Sequence, residues 1–236
     1  MKVFKISFLF AFFFTLHAAD IDHITIAVRD NTRASQLFNE MGFTLKTPHE
    51  YKSGLQEGLI AQSIRFTDGS YIQLVSVKEP IGDLAKWYHR QLKKGEGAVT
   101  LTLIHPSLKE LEKKFKKENL NCERKNFSGY QWLSFKTNSP YQHVSFINYQ
   151  TPLFPKKELL NHRNGALGIK KLTLNSTGES DTWAKIMSLS NSLYNHLEFN
   201  HLGFKQAPFI SEIILKKNQS SPSKSFKIGR TLIKFQ

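Results

Sequence analysis

His23, Arg65, Gln73, Trp132 and His143 carry most of the chemistry legible in this sequence. The imidazole of His23 and the carboxamide oxygen of Gln73 can each offer an electron pair to a divalent metal ion, or hydrogen-bond a ligand directly. A glutamine oxygen is neutral and a weaker metal ligand than a carboxylate. Arg65 presents charge-assisted donors suited to an anionic or carbonyl-bearing molecule. Trp132 offers a flat face for stacking, and His143 a second imidazole. Three readings follow: first a small-molecule binding protein with these residues lining its pocket, then a metal-dependent enzyme with His23 and Gln73 as ligands, and third a structural or interaction protein whose hollow is filled by side chains. No catalytic residue can be assigned. Other signals are thin. The glycines of "SGLQEG" (53–58) and "GEG" (95–97) lack the strand-to-helix placement of a phosphate loop and read as turns. Cys122, the only cysteine, lies in "NLNCERK", which reads as a basic surface stretch without a catalytic signature.

The elements that must position these residues repeat along the chain. Residues 22–28, "DHITIAV", alternate, with Ile24, Ile26 and Val28 on one side and His23, Thr25 and Ala27 on the other, as in a half-buried strand. Asp30 or Asn31 can cap a helix striped by Ala34, Leu37, Phe38 and Met41, and Gly42 stops it. "FTLKT", "LIAQSIRF" and "SYIQLVSV" read as three further strands, the last two joined by an Asp68-Gly69 turn. The pattern β-α-β-β-β recurs from "AVTLTLI" (98–104), through a helix opened by the Ser107/Glu110 capping box, to "YQWLSFK" and "QHVSFINY". A third, looser copy starts at "GIKKLTL" (168–174), with a helix bearing Trp183, Ile186, Met187, Leu193, Tyr194 and Leu197 and a stop at Gly203. "DLAKWYHRQLKKG" is a connecting helix on which Trp87 and His89 can cover a cavity mouth, although Trp87 reads more readily as a core residue.

The expected organisation is therefore α+β. Residues 20–152 hold two paired modules (20–80 and 97–150), 153–167 a linker, and 168–236 a third, partial module. One such module buries only one face of its sheet under its helix, so two must pair across the other face. The result is a half-open barrel whose hollow suits a small molecule. Alternation puts His23, Ser63, Arg65, Tyr71 and Gln73 on the concave side, with Ala98, Thr100, Trp132, Ser134, His143 and Ser145 from the second module.

With "IDHITIAVRD", "MGFTL", "FTDGSYIQLVSV", "WYHRQLKKGEG" and "HRNGALGIKKLTL" in this order, the chain resembles the vicinal oxygen chelate (glyoxalase-like) superfamily, and within it the bacterial glyoxalase-like domain family. The resemblance implies paired β-α-β-β-β modules and a scaffold shared by lyases, isomerases, dioxygenases and binding or resistance proteins. It also implies a divalent metal held by a histidine at the start of the first strand and a glutamate on the fourth, from each of two modules. His23 falls on the first position, and Gln73 departs from the second. In the second module the corresponding positions are Ala98 and Ser145, neither a competent ligand, which leaves His143 as the only substitute. In the third copy the histidine position falls on Lys171.

Residues 1–19, "MKVFKISFLFAFFFTLHAA", read as a secretory signal: Lys2 and Lys5, a short apolar run, then small residues. The chain is accordingly expected to be exported, periplasmic or secreted. A single cysteine allows no internal disulfide, so the core alone must hold the domain. The formal net charge of +14 falls to +12 without Lys2 and Lys5. In an exported protein this basicity does not point to nucleic acid. It is compatible with peripheral contact at an anionic envelope surface and with a small anionic ligand. A homodimer is left open.

Overall fold

The computed structural model describes residues 21–136, 139, 141–151, 155–176, 185, 186, 188–190, 197–201, 209–218 and 225–236. The segment read as a secretory signal lies outside these residues. Strand β1 (Ile21–Ala27) is followed by helix α1 (Asn31–Glu40), a short β2 (His49–Glu50), β3 (Leu59–Arg65) and β4 (Tyr71–Val77). Helix α2 (Asp83–Lys94) leads to β5 (Gly97–Ile104), α3 (Leu108–Lys117), β6 (Cys122–Phe127), β7 (Tyr130–Phe135) and β8 (Val144–Tyr149). The remaining strands are β9 (Ala166–Ser176), β10 (Leu197–His201), β11 (Ile210–Lys217), β12 (Phe226–Ile228) and β13 (Thr231–Phe235). Among the described residues no helix is long and apolar enough to cross a membrane.

Local chemistry accounts for the element ends. The Asp30 carboxylate accepts the Arg33 N–H at 3.0 Å and starts α1, and Gly42, at φ +86°, ends it. Ser107 accepts the Glu110 N–H to start α3, and Asn119 takes the left-handed conformation just beyond it, at φ +57°. Ile24, Ile26 and Val28 of β1 pack with Ala34 and Phe38 of α1 in one core, which continues through Leu108, Leu111 and Phe115 of α3.

The first strand of each of the first two units pairs in parallel with its fourth, β1 with β4 and β5 with β8. Strands β1 and β5 then lie antiparallel, His23 opposite Thr102 and Thr25 opposite Thr100. The resulting order is β2-β3-β4-β1-β5-β8-β7-β6, a curved open sheet with α1 and α3 on its convex side. This is the half-open barrel of β-α-β-β-β modules. The third unit is wired differently. Strand β9 pairs with β10 and β11, β11 with β13, and β12 forms a hairpin with β13, so the first strand of this unit does not lie beside its last. The unit covers α1, with Phe226 against Phe38 at 5.2 Å and Phe235 against Phe43 at 5.8 Å. It joins the sheet where Ile210 meets Ala98, and the buried Thr231 hydroxyl accepts the Ala98 N–H and donates to the Ile210 carbonyl, both at 2.8 Å.

Three expectations change. "FTLKT" is not a regular strand: its Thr44 N–H and hydroxyl are taken by His162 and the Asn161 carbonyl, and regular pairing with β3 begins only at His49. Cys122 is not at the surface. It opens strand β6, which pairs with β7, and its side chain enters the core beside Leu120 and Phe135. Burial pushes its thiol up to about 11, which keeps it protonated and inert. Of the third helix, residues 185, 186, 188 and 189 are described and helical, with Ile186 in the core; Trp183, Met187, Leu193, Tyr194 and Gly203 lie outside the described residues.

Phe38 is fully buried and touches both the first module's sheet helix contact and the third unit. Phe38→Ala is expected to cost about 3–5 kcal/mol in chemical denaturation. A loss below about 1 kcal/mol would contradict its place at this junction.

Candidate functional site on the concave sheet face

Strand register arranges the concave residues in rows across the sheet. The first row runs Arg65, Tyr71, His23, Thr102, Ser145, Ser134, each residue opposite the next on adjacent strands. The second runs Ser63, Gln73, Thr25, Thr100. The His143 carbonyl accepts the Leu101 N–H, which places His143 at the far end of this second row. His23 and Gln73 thus share one face, a row apart, and Arg65 and Trp132 share it with them.

In the first row the Arg65 guanidinium lies over the Tyr71 ring at 4.2 Å, and Tyr71 stacks on His23 at 4.5 Å with 18° between planes. Trp132 stands 6.1 Å from His23. His23 is held at both nitrogens. Its Nδ1 is 2.6 Å from Asp22 Oδ2, and its Nε2 is 3.2 Å from the Thr102 hydroxyl. The chain continues from Thr102 to Ser145 at 3.0 Å, and Tyr149 donates to Asp22 Oδ2 at 3.2 Å. Because a carboxylate only accepts, Nδ1 carries a proton, and a neutral ring then accepts the Thr102 hydroxyl at Nε2. Burial pushes the Tyr149 hydroxyl far up, and the Asp22 carboxylate adds to the shift. Tyr71 is raised for the same two reasons, in the same order.

Asp22 has no counterpart in the sequence-based site. Strict alternation puts it on the helix side of β1, with Ile24. A register shift between Ile21 and His23 breaks that alternation and lets the carboxylate reach His23 and Tyr149. A second shift, between Thr25 and Ile26, corrects the expected places of Ala98 and Val99. Ala98 turns into the convex core, and Val99 joins the concave cluster with Trp87, Tyr88 and Leu92 of α2. Helix α2 therefore covers one end of the hollow. The Tyr88 hydroxyl bonds Thr25 and Thr100 over the second row, and Trp87 donates to Gln142 at 3.0 Å. In the first row His23, Tyr71, Thr102 and Ser145 are buried, and only Arg65 and Ser134 at its two ends are half-buried.

The donor set does not fit a divalent ion, which needs several donors converging at about 2.0–2.6 Å. Asp22 and Thr102 already hold both nitrogens of His23, and the Gln73 oxygen faces the Thr25 hydroxyl at 3.5 Å. His143 is two strands and one row from His23, roughly 12 Å at ordinary strand spacing. Among the described residues no three His, Cys, Asp or Glu side chains cluster as a metal site. A separate cleft of about 580 Å³ lies between the outer face of α1 and the β12–β13 turn. Its charged lining balances Arg29, Arg33 and Lys227 against Asp30, Glu40 and Glu96, and it shares no residue with the concave row.

The sequence matches a family described as a glyoxalase-like domain over residues 21–189. No curated protein matches it. A solved structure of a hypothetical protein from Staphylococcus aureus is 14% identical, with a TM-score of 0.64, covering 93% of this chain and 99% of that one. At that identity the likeness is one of fold. Methylmalonyl-CoA epimerase from Streptomyces coelicolor is 15% identical, with a TM-score of 0.45 over 59% of this chain and 100% of that one. The epimerase from Mycobacterium tuberculosis is 13% identical, with a TM-score of 0.45 over 56% of this chain and 88% of that one.

His143 plays a different part from the ligand substitute expected of it. Its Nδ1–H donates to the Val99 carbonyl at 2.7 Å, its ring stacks on Phe209 at 5.2 Å, and Trp87 lies 5.4 Å away. Burial, with a smaller push from Lys94, lowers its pKa from 6.5 to about 4. The folded ring is neutral where the unfolded ring takes up a proton. This contribution to stability is thus complete above pH 6.5 and is lost as pH falls toward 4. Urea denaturation of His143→Phe should show a shallower fall in unfolding free energy over that window than the parent protein. An unchanged slope would contradict the assignment.

Proposed function

The chain belongs to the glyoxalase-like domain family of the vicinal oxygen chelate superfamily, and from that premise we propose that it binds a small anionic or carbonyl-containing molecule on its concave sheet face. The carrying observation is the Arg65–Tyr71–His23 stack, which lines up a half-buried guanidinium with a buried phenol and a buried imidazole along one row. Arg65 is only half-buried, and among the described residues its guanidinium has neither a carboxylate partner nor a hydrogen bond, so its donors are free for a ligand. The apolar segment at 1–19 supports an exported location for this binding.

Binding of pyruvate, as a minimal anion with an adjacent carbonyl, can be followed through the His23 ring resonances in NMR titrations. A charge-assisted hydrogen bond is worth about 1.5–3 kcal/mol, so Arg65→Ala should weaken binding at least about tenfold. Equal affinity in the two proteins would sink the reading.

A second reading, an acid–base enzyme, is favoured by the Asp22–His23 contact. A carboxylate at 2.6 Å fixes the tautomer and orientation of the imidazole, as a general base requires. Such an enzyme would work through His23 as a proton acceptor once the Thr102 hydroxyl turns from Nε2 to donate to Ser145, and no step needs a metal ligand at Gln73. Pyruvate held in D2O should then gain deuterium at its methyl group with the parent protein but not with Asp22→Asn. Exchange that survives Asp22→Asn, or is absent from the parent, would remove this reading and leave the binding one standing.

A further inference from the structure

Away from the concave face, the cleft of about 580 Å³ between α1 and the β12–β13 turn combines charged and apolar groups. Its floor is buried and apolar, made of Val28, Ala34 and Ile228. Some of its charges hold the walls together. The Glu96 side chain accepts the Arg29 N–H at 2.6 Å, and the Glu96 carbonyl accepts the Arg230 N–H at 3.1 Å. The Arg29 guanidinium donates to the Leu92 carbonyl, and the Asp30 carboxylate caps α1 through the Arg33 N–H. Gly229, at φ +55°, sits so close that a Cβ there would meet the Glu96 carbonyl oxygen at 2.3 Å. This end of the cleft is therefore pinned.

The Arg33 guanidinium, the Lys227 ammonium and the Glu40 carboxylate are left over. All three residues line the cleft and are exposed, and among the described residues none has a side-chain hydrogen bond or an ion pair. Arg33 and Glu40 lie on one stripe of α1 with Leu37 between them, about 10.5 Å apart along the helix axis. Lys227 comes from β12, whose Phe226 packs on Phe38 while Gly229 beyond it meets Glu96, so it stands across from the middle of α1. The cleft thus offers two cations and, further along, a carboxylate. Over the whole lining, three positive groups balance three negative ones, which favours a dipolar ligand over a simple anion. An extended chain covers the distance from Arg33 to Glu40 in about three residues. We propose that the cleft is a second binding site, for a short zwitterionic peptide of about that length. Its carboxylate lies at Arg33 and Lys227, its ammonium at Glu40, and an apolar side chain over Leu37 and Ile228. The site does not depend on the reading given to the concave face.

Calorimetric titration of the full chain with the tripeptide Ala-Leu-Ala, its N-acetyl form and its C-terminal amide reads the two ends separately. The free tripeptide should bind about fivefold more tightly than either blocked form, the scale of one exposed ion pair. Free leucine, too short to reach both ends, should bind more weakly than the tripeptide. The double variant Arg33→Gln/Lys227→Gln should remove the difference between acid and amide and keep that between amine and N-acetyl. Glu40→Gln should do the reverse. In each variant the difference that is kept also reports that the protein is folded. No binding of Ala-Leu-Ala, or equal binding of its free and blocked forms, overturns the site. Differences that survive both variants put the peptide elsewhere and overturn it too, and leucine binding as tightly as the tripeptide overturns the peptide class. None of these outcomes touches the concave-face reading, which is followed through pyruvate at His23.

Discussion

The antiparallel seam between β1 and β5 is the constraint on which the rest of the molecule depends. It joins two four-stranded halves into one curved surface, and every residue of the concave row takes its neighbours from the register of that seam. A slip of one residue would turn His23 to the convex core and Ile24 to the hollow. The seam is specified by burial on its convex side, where Ile24, Ile26, Leu101 and Leu103 pack against α1 and α3. It also departs from regularity twice, and both departures matter. One brings Asp22 to His23. The other sends Val99 to the concave side, where it gives α2 an apolar patch to rest on.

The electrostatics of the site follow from that seam. Asp22 is almost wholly buried, and a carboxylate so placed must be compensated by strong hydrogen bonds. It accepts from His23 Nδ1 and from Tyr149, while His23 in turn is met by Thr102 and Thr102 by Ser145. The position at which the superfamily resemblance implies a metal ligand is here satisfied by protons. An imidazole locked between a carboxylate and a hydroxyl has no lone pair aimed at an ion, and Gln73 brings no charge to replace one. At the edge of the row the half-buried Arg65 guanidinium has, among the described residues, no carboxylate partner.

Helix α2 divides the hollow between structure and function. Trp87 and Tyr88 close the end above Thr25, Thr100 and His143, so those polar residues serve the fold. The sequence offered both Trp87 and His89 as cover for the cavity mouth, and Trp87 more readily as core. Trp87 sits over the concave face as a packed core residue bound to Gln142, and His89 is half-buried. The third unit acts from the opposite side, sheathing α1 and anchoring the seam through Thr231.

Much of this was legible in the chain itself. Period-two alternation in "DHITIAV" and "SYIQLVSV" and the caps at Asp30 and Ser107 determined the β-α-β-β-β units, because these signals are local and depend only on which side of a strand or helix is apolar. The same alternation put His23, Arg65, Gln73 and Trp132 on one face. It could not see Asp22, whose carboxylate reaches the site only through an irregularity in strand pairing, nor the exchange of Ala98 and Val99 at the second. Nor could it tell that "NLNCERK" would bury its cysteine, since the charges flanking Cys122 mask a strand that pairs with β7 and backs onto α3. Local pattern decides which residues share a face. Only the tertiary structure, through bulges and through helices laid over that face, decides which of them touch and which are left open.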